Sequence, residues 1–324
     1  MTSISKFTSL LLSVFCLIFY RTEAQTFIPK QNQLAMQSPS VYYHSQKVNG
    51  LNIFYREAGP KDGPVVLLLH GYPTSSHMFR NLIPVLGQTY HVIAPDLPGF
   101  GYSDAPDHNQ FEYSFAHLAA VMQGFIDQLG LKRFAIYVFD YGAPVGYRLA
   151  LANPEKIVGI ISQNGNAYKE GLSSGWNPIQ KYWQDPSAAN RDALREFLTL
   201  KLTKWQYEEG ASDTSGIAPE TYTLDQHFLD RQGIAEIQLD LFGDYQSNVA
   251  LYPKFQAYFR KFMPPLLAVW GNRDPYFLPA GADAYKKDDP NAIVKFYPTG
   301  HFALETHLTE ISGDILSFLA GLKW

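Results

Sequence analysis

Three ionisable residues each follow an apolar run of strand type: Asp140 ends "FAIYVFD", Asp274 ends "LLAVWGNRD" and His301 follows "AIVKFYPTG". Parallel strands of an open α/β sheet present their carboxyl ends at one edge, so we expect the three side chains to lie together. One carboxylate would attack a substrate, the imidazole would act as base, and the second carboxylate would orient and stabilise the imidazolium. Taken singly, each residue has a simpler explanation as a helix N-cap, a turn residue or a surface histidine. The order of nucleophile, acid and histidine favours a catalytic site.

The segment "VFDYG" predicts a sharp turn from a strand into a helix, with Asp140 at the turn. Such a turn directs the first helical N–H groups at whatever binds beside it. The loop "HGYP" follows another apolar run, "VVLLL". We expect the backbone N–H groups of Tyr72 in that loop and of Tyr141 after the turn to form an oxyanion hole.

The elements that must position these residues alternate between strand and helix patterns. "PVVLLLHG", "YHVIAPDLPG" and "IVGIISQNG" are continuous apolar runs, as in central parallel strands covered on both faces. Apolar residues at helical spacing lie between residues 111 and 129, and "APVGYRLALAN" is a second helix pattern. "VYYHSQ" and "LNIFYREAG" around "VNG" predict an antiparallel hairpin. The alternation predicts an α/β fold with a mostly parallel central sheet flanked by helices.

The alternation is interrupted in the middle of the chain. Residues 166–247 are helical, aromatic and charged in pattern, without a strong strand signal. We therefore predict a helical lid over residues 166–247, inserted between a first part of the core at 25–165 and a second part at 248–324.

The N-terminal residues 1–24 have the composition of a secretory signal peptide: one lysine, an apolar run and then "TEA", with cleavage after Ala24. The apolar run is shorter than the roughly 20 residues of a membrane-spanning helix, so no stable membrane insertion is expected. The sequence predicts a secreted or periplasmic protein, with an uncleaved signal anchor as the alternative. The only cysteine, Cys16, lies in this segment, so the mature chain would have no thiol.

Composition narrows the function further. Hydrophobic residues make up 46% of the chain and charged residues 17%, which is enough for a large buried core. The net charge of −4 and the absence of a basic cluster argue against a nucleic-acid partner. No pair of histidines has the spacing of metal ligands, so neither a metal site nor a cofactor is expected.

Five motifs together, "HGYPTSS", "DLPGFGYSD", "VFDYG", "GNRDP" and "TGHFALE", resemble the α/β-hydrolase superfamily. The aspartate at the nucleophile position is similar to the branch that includes soluble epoxide hydrolases and, more distantly, haloalkane dehalogenases. The resemblance implies a nucleophile at Asp140, a base at His301 and its supporting acid at Asp274, with no cofactor. One residue departs from the family pattern: Val138 stands where a small residue is usual, two places before the nucleophile.

A carboxylate nucleophile suits displacement at a saturated carbon, because it attacks without being deprotonated and leaves an ester that water then hydrolyses. An epoxide oxygen leaves as an alkoxide and needs acidic O–H donors. Epoxide hydrolases that this chain resembles use two lid tyrosines, and the motif context implies Tyr182 in "KYWQDP" and Tyr245 in "LFGDYQSN".

A halide instead needs N–H donors in an apolar pocket. Haloalkane dehalogenases usually have tryptophan after the nucleophile and often asparagine in the "HGNP" loop, whereas this chain has Tyr141 and Tyr72. Trp183 is a candidate substrate-pocket residue that partly replaces this halide clamp, and the arginine of fluoroacetate-type enzymes is absent. The pattern favours hydrolysis of a small apolar epoxide to a vicinal diol. A haloalkane or haloacid dehalogenase stays open as an alternative, as does a non-catalytic ligand-binding protein of the same fold.

Overall fold

The computed structural model describes residues 39–324. The predicted signal peptide at 1–24, with Cys16, lies outside the described residues. Within the described part of the chain, no helix is long and apolar enough to cross a membrane.

A single eight-stranded sheet organises the fold, in the order β1-β2-β4-β3-β5-β6-β7-β8. The strands are β1 (Tyr42–Val48), β2 (Leu51–Ala58), β3 (Val65–Leu69), β4 (His91–Pro95), β5 (Phe134–Phe139), β6 (Ile157–Gln163), β7 (Leu266–Gly271) and β8 (Ile293–Tyr297). β2 pairs antiparallel with β1 and with β4, and every pairing from β4 through β8 is parallel. The predicted α/β fold with a mostly parallel sheet is confirmed.

The predicted hairpin is β1 and β2, whose registers meet at Val48 opposite Leu51. Its two-residue turn needs positive φ at both positions, which Asn49 and Gly50 provide at +51° and +89°.

Eleven α-helices are described. They are α1 (Leu82–Leu86), α2 (Phe115–Gln128), α3 (Gly142–Ala152), α4 (Asn177–Gln184), α5 (Ala188–Ala193), α6 (Leu200–Glu208), α7 (Pro219–Leu229), α8 (Ile234–Phe262), α9 (Pro279–Asp288), α10 (Ala303–Thr306) and α11 (Leu308–Ala320). α2, α3, α8 and α9 contribute to the apolar core on one face of the sheet, and α1 and α11 to the core on the other.

The central strand β5 is buried along its whole length because both of its faces are covered. Ile136 and Val138 belong to the core on one side, and Tyr137 and Phe139 to the core on the other. This arrangement explains why the strand is a continuous apolar run instead of an alternating one.

The connection from β6 to β7, residues 164–265, contains α4 through α8 and no sheet strand; we refer to it as the helical segment. α8 runs unbroken from Ile234 to Phe262, with Pro253 inside it, and therefore crosses residue 247, where the sequence pattern placed the return to the core. It contacts α4 on one side and α3 and α9 on the other, so one long helix joins the helical segment to the sheet layer.

Candidate active site

The turn between β5 and α3 carries Asp140. Its φ is +49°, a left-handed conformation that non-glycine residues rarely adopt. The turn lies close to β3, since a Cβ added at Gly142 would be 2.2 Å from the carbonyl oxygen of Leu69. Glycine at 142 therefore allows the turn to be sharp, and the turn presents the Asp140 carboxyl group beyond the end of the strand.

Two backbone amides point at this carboxyl group. The N–H of Tyr72 donates to Asp140 Oδ1 at 2.6 Å, and the N–H of Tyr141 also acts to lower the pKa of this carboxyl group. The approach depends on Gly71, where a Cβ would lie 2.4 Å from Asp140 Oδ1. The two N–H groups that the sequence predicts as an oxyanion hole thus lie together beside Asp140.

His70 holds the loop that contains Tyr72. The N–H of Leu97 donates to His70 Nε2 at 2.9 Å, and His70 Nδ1 donates to the carbonyl oxygen of Gly71 at 3.0 Å. Burial lowers the pKa of His70 against the opposing influence of Asp96. His70 is therefore a neutral imidazole that fixes the position of the loop backbone.

His301 and Asp274 form a hydrogen-bonded pair. His301 Nδ1 donates to Asp274 Oδ2 at 2.6 Å, while its Nε2 lies 3.9 Å from Asp140 Oδ2. That separation exceeds hydrogen-bonding distance, so Nε2 remains available to a third group beside Asp140. The three residues that the sequence singles out by their order are therefore gathered at one edge of the sheet.

Asp274 is held by donors that sequence reasoning missed. Asn164 Nδ2 donates to Asp274 Oδ2 at 2.7 Å, and the N–H groups of Tyr276 and Phe277 donate to Oδ1 at 2.7 and 3.1 Å. Asn164 follows β6 directly and has a φ of +44°. Its place at the carboxyl end of a predicted strand was the available signal.

Burial changes the acid–base behaviour of the site. It raises the pKa of Asp140 to about 6, although His301 and the two backbone N–H groups favour the carboxylate. Burial alone would lower the pKa of His301, but Asp274 and, more weakly, Asp140 outweigh it and raise that pKa above its ordinary value. The site therefore holds a carboxyl group that ionises near pH 6 and a histidine that retains its proton to higher pH than usual.

A cavity of about 30 Å³ lies between Asp140 and the helical segment. It is lined by Tyr72, Asp140, Tyr141, Trp176, Ile179, Phe197, Gln206, Phe242 and Tyr276. This volume has room for about two water molecules. The cavity is apolar apart from Asp140, the carboxamide of Gln206 and the hydroxyl groups of its tyrosines.

Tyr182 does not face this cavity, and the prediction that it contacts a leaving oxygen disagrees with the structure. Its ring packs against Gly243 of α8, and its hydroxyl accepts a hydrogen bond from Arg191 at 3.3 Å. It borders an open groove on the outer surface, together with Arg191 and His108. Ile179, one helical turn earlier in α4, lines the cavity instead.

Tyr245 and Trp183 lie behind the lining residues. Tyr245 is fully buried, and its ring centroid is 4.3 Å from that of Trp176 and 5.8 Å from that of Tyr141. Trp183 is stacked parallel to Tyr245, and its Nε1–H donates to the carbonyl oxygen of Phe242 at 2.7 Å. Neither residue lines the cavity around Asp140, so the predicted pocket role of Trp183 also disagrees with the structure.

Sequence reasoning also missed Gln206 and Tyr276. Tyr276 comes two residues after Asp274, so its proximity to the predicted acid was a usable signal. Gln206 lies on α6 within "KWQYEEG", and no local pattern distinguishes it from a surface glutamine.

Comparison with known proteins agrees with this architecture. A family model described as alpha/beta hydrolase fold matches residues 64–308. The chain is 46% identical over 285 residues to the uncharacterized hydrolase YNR064C of Saccharomyces cerevisiae, covering 86% of this chain and 97% of that protein. It is 39% identical over 187 residues to a haloalkane dehalogenase of Psychrobacter cryohalolentis, covering 53% of this chain and 61% of that protein.

Among solved structures, the chain is similar to haloalkane dehalogenase DbeA from Bradyrhizobium elkani, with a TM-score of 0.72 at 23% identity over 87% of this chain and 98% of that one. At that identity the likeness concerns the fold alone. The family match extends from the start of the parallel strands into the final helix and includes Asp140, Asp274 and His301. The chain belongs to the α/β-hydrolase fold family.

Proposed function

We propose that this protein opens small apolar epoxides to vicinal diols through an ester formed on Asp140. The observation that carries the proposal is the position of the Asp140 carboxylate, which accepts the Tyr72 N–H at 2.6 Å and lies 3.9 Å from His301 Nε2. A carboxylate at this turn forms an ester by displacement at carbon, and the surrounding groups are those that ester hydrolysis needs.

In the first step, an Asp140 oxygen attacks one epoxide carbon, and the bond between that carbon and the ring oxygen breaks. The electron pair of the broken bond goes to the oxygen, which takes a proton from the solvent. Asp140 thereby becomes an alkyl ester with a hydroxyl group on the neighbouring carbon. Only the ionised carboxylate attacks, so this step requires a pH near or above the Asp140 pKa of about 6.

In the second step, His301 Nε2 accepts a proton from a water molecule, whose oxygen attacks the ester carbonyl carbon of Asp140. Negative charge develops on the carbonyl oxygen, beside the N–H groups of Tyr72 and Tyr141. Asp274, which accepts the Nδ1–H, stabilises the imidazolium that forms. When the intermediate collapses, the bond from the carbonyl carbon to the alkyl oxygen breaks, and that oxygen takes the proton from the His301 imidazolium to complete the diol. The Asp140 carboxylic acid then loses a proton to the solvent, which restores the carboxylate and balances the proton taken up in the first step.

The charge of Asp140 links the two steps. The ionised carboxylate contributes to the raised pKa of His301, and esterification removes that charge. The pKa of His301 therefore falls once the ester has formed, which favours the neutral imidazole at the stage where it must act as a base.

Dehalogenation is the second candidate, supported by the sequence identity to a protein named haloalkane dehalogenase. A halide needs N–H donors that are free. The indole N–H of Trp176 already donates to the carbonyl oxygen of Tyr276 at 3.2 Å, and that of Trp183 to Phe242. Neither tryptophan therefore offers a free indole N–H to a halide, and the single unpaired carboxamide of Gln206 at the cavity does not make a pair of such donors, so we place epoxide opening first. A purely ligand-binding role is disfavoured because Asp140, His301 and Asp274 lie together. His301 is hydrogen-bonded to Asp274, and its Nε2 lies 3.9 Å from Asp140 Oδ2.

The test is the intact mass of a His301→Ala variant after incubation with epoxides of increasing size and, separately, with bromoalkanes. Without its base the enzyme should form the ester and stop. A mass gain equal to the whole epoxide, lost in His301→Ala/Asp140→Asn, would support the proposal. A gain equal to the alkyl group alone, with bromide released, would assign the protein to dehalogenation. No gain with any epoxide would contradict epoxide opening.

A further inference from the structure

Gln206 places an unpaired carboxamide against the catalytic cavity. The side chain is 2% exposed and lines the same cavity as Asp140. Its Nε2 has no hydrogen-bond partner among residues 39–324. A buried polar group without a partner destabilises a fold, so a group of this kind facing a ligand cavity indicates that a ligand completes it.

The backbone beside Gln206 is firmly held. The next residue, Tyr207, donates its hydroxyl to Asp225 of α7 at 2.5 Å. The Tyr207 ring is stacked on that of Phe302, with centroids 3.7 Å apart and planes within 9°. Because Phe302 adjoins His301 in the chain, α6 is fixed directly to the catalytic edge of the sheet, and the Gln206 side chain is positioned in advance of substrate.

Tyr72 of the "HGYP" loop and Trp176 of the helical segment also line the cavity, but their polar groups are already engaged. The Tyr72 hydroxyl donates to the carbonyl oxygen of Phe197 at 2.7 Å, and the Trp176 indole N–H donates to Tyr276. The Tyr141 hydroxyl has no partner, but Tyr141 belongs to the turn that carries the nucleophile. Gln206 is thus the unpaired N–H donor that the helical segment presents to the cavity.

Displacement at carbon places the leaving atom on the side away from the attacking oxygen. Asp140 reaches the cavity from the sheet edge, and Gln206 reaches the same cavity from the helical segment. We propose that the Gln206 carboxamide donates a hydrogen bond to the epoxide oxygen as it leaves, in place of the predicted Tyr182. This inference rests on the proposed function. The carboxamide stabilises the developing alkoxide without transferring a proton, and the solvent supplies that proton.

The experiment measures the rate of ester formation in the His301→Ala background with 1,2-epoxybutane. Adding Gln206→Leu removes the donor and should slow ester formation about 100-fold at saturating epoxide. Gln238→Leu is the matched control, because Gln238 is a buried glutamine of α8 with an unpaired carboxamide that does not line the cavity. The control should stay within about threefold of the parent, a limit set well below the expected effect of one donor.

A second variant separates hydrogen bonding from folding. Gln206→Glu keeps the size of the side chain, but it repels an alkoxide when ionised and donates a hydrogen bond when protonated. The ratio of its rate to that of the parent should therefore rise as the pH falls from 8 to about 5.5, because more of the buried glutamate is protonated at the lower pH.

The two proposals fail in distinguishable ways. Ester formation in the parent with an unchanged Gln206→Leu rate would overturn the role of Gln206 alone. Absence of ester in the parent would overturn the proposed function, and with it this inference. A loss of rate in Gln206→Leu together with a pH-independent ratio in Gln206→Glu would also overturn the donor role, since it would indicate a packing effect.

Discussion

At the scale of single residues, the surroundings of Asp140 act on its pKa in two opposing directions. Burial in an aromatic cavity disfavours the carboxylate, while His301 and two backbone amides stabilise it. The balance raises its pKa to about 6, which still leaves the carboxyl group ionised at neutral pH.

We expect the rate of Asp140 ester formation to rise with pH and to level off above a midpoint of about 6. Only the ionised carboxylate attacks, so activity is present above the pKa and lost as the pH falls through it. His301 lowers the pKa of Asp140, and His301→Ala should therefore move the midpoint to higher pH. Rapid-mixing kinetics of tryptophan fluorescence, calibrated by intact mass, would measure both midpoints. A lower midpoint in the variant would contradict this account.

At the scale of elements, the strand-to-helix turn depends on how closely β5 and α3 approach each other. Val138 is larger than the residue usual at its position, and the opposing Gly146 compensates for it. A Cβ added at Gly146 would lie 2.5 Å from Val138 Cγ1. The departure from the family pattern at Val138 is therefore accommodated by the absence of a side chain in the facing helix.

Gly146→Ala should lower the free energy of unfolding by about 1–3 kcal/mol through overpacking, although alanine is the better helix former. Gly313→Ala in α11 is the matched control, because nothing lies within 4 Å of its added Cβ, and it should be neutral or stabilising. The double variant Val138→Ala/Gly146→Ala should be less destabilised than the sum of its single changes. Additive effects in urea unfolding would show that the two positions do not compensate for each other.

A buried carboxyl group also holds α6 and α7 against the edge of the sheet where Asp140 lies. Asp225 of α7 is fully buried, accepts the Tyr207 hydroxyl and adjoins Thr74, which follows the "HGYP" loop. Burial raises the pKa of Asp225 to about 8, with a further contribution from Glu305, against the lowering effects of its hydrogen bonds and Arg80. The carboxyl group is consequently neutral in the folded protein at pH 7.

This raised pKa predicts a definite pH dependence of stability. The folded state retains a proton that the unfolded state loses near pH 4, so the contribution of Asp225 is complete below about pH 4 and is lost as the pH rises towards 8. Within that window the group lowers the unfolding free energy by about 1.4 kcal/mol per pH unit. Asp225→Asn keeps an acceptor for Tyr207 and should flatten this decline. Urea unfolding of both proteins at pH 5 and pH 8 would measure how far the unfolding free energy declines. An equal decline in Asp225→Asn and in the parent would refute the assignment.

At the scale of the whole molecule, the site is a narrow space closed between two layers. The sheet edge contributes Asp140 and the loop residues, and the helical segment covers them with Trp176, Ile179, Phe197 and Gln206. The cavity is small, about 30 Å³, and five of its lining residues belong to the helical segment. Substrate size should therefore be limited by the residues of the helical segment that line the cavity.

Ile179→Ala should widen the cavity and raise kcat/KM for styrene oxide relative to 1,2-epoxybutane by about tenfold, the scale of a few methylene groups in an apolar pocket. Leu194→Ala is the matched control, since Leu194 is fully buried in the helical segment without lining the cavity. The control should lower stability without changing the ratio. A change of similar size in both variants would trace the effect to a general loosening of the helical segment.

Much of the catalytic edge followed from the sequence because local pattern and topology act together there. Continuous apolar runs specify covered parallel strands, and parallel strands place their carboxyl ends at one edge. Asp140, Asp274 and His301 therefore came together as their positions after three such runs predicted. The hairpin was equally accessible, because Asn49 and Gly50 supply the backbone conformations that a two-residue turn needs.

Which side chains of the helical segment face that edge depends on tertiary contacts, and the sequence did not reveal it. Side-chain directions in the helical segment depend on contacts between residues far apart in the chain, such as Tyr182 with Gly243 and Arg191. Those contacts turn Tyr182 to the outer surface and leave Ile179 and Gln206 at the cavity. Sequence reasoning identified which ionisable side chains meet at the sheet edge because strand order fixes them. It could not identify what faces them, since helix packing sets the rotation of each helix about its own axis.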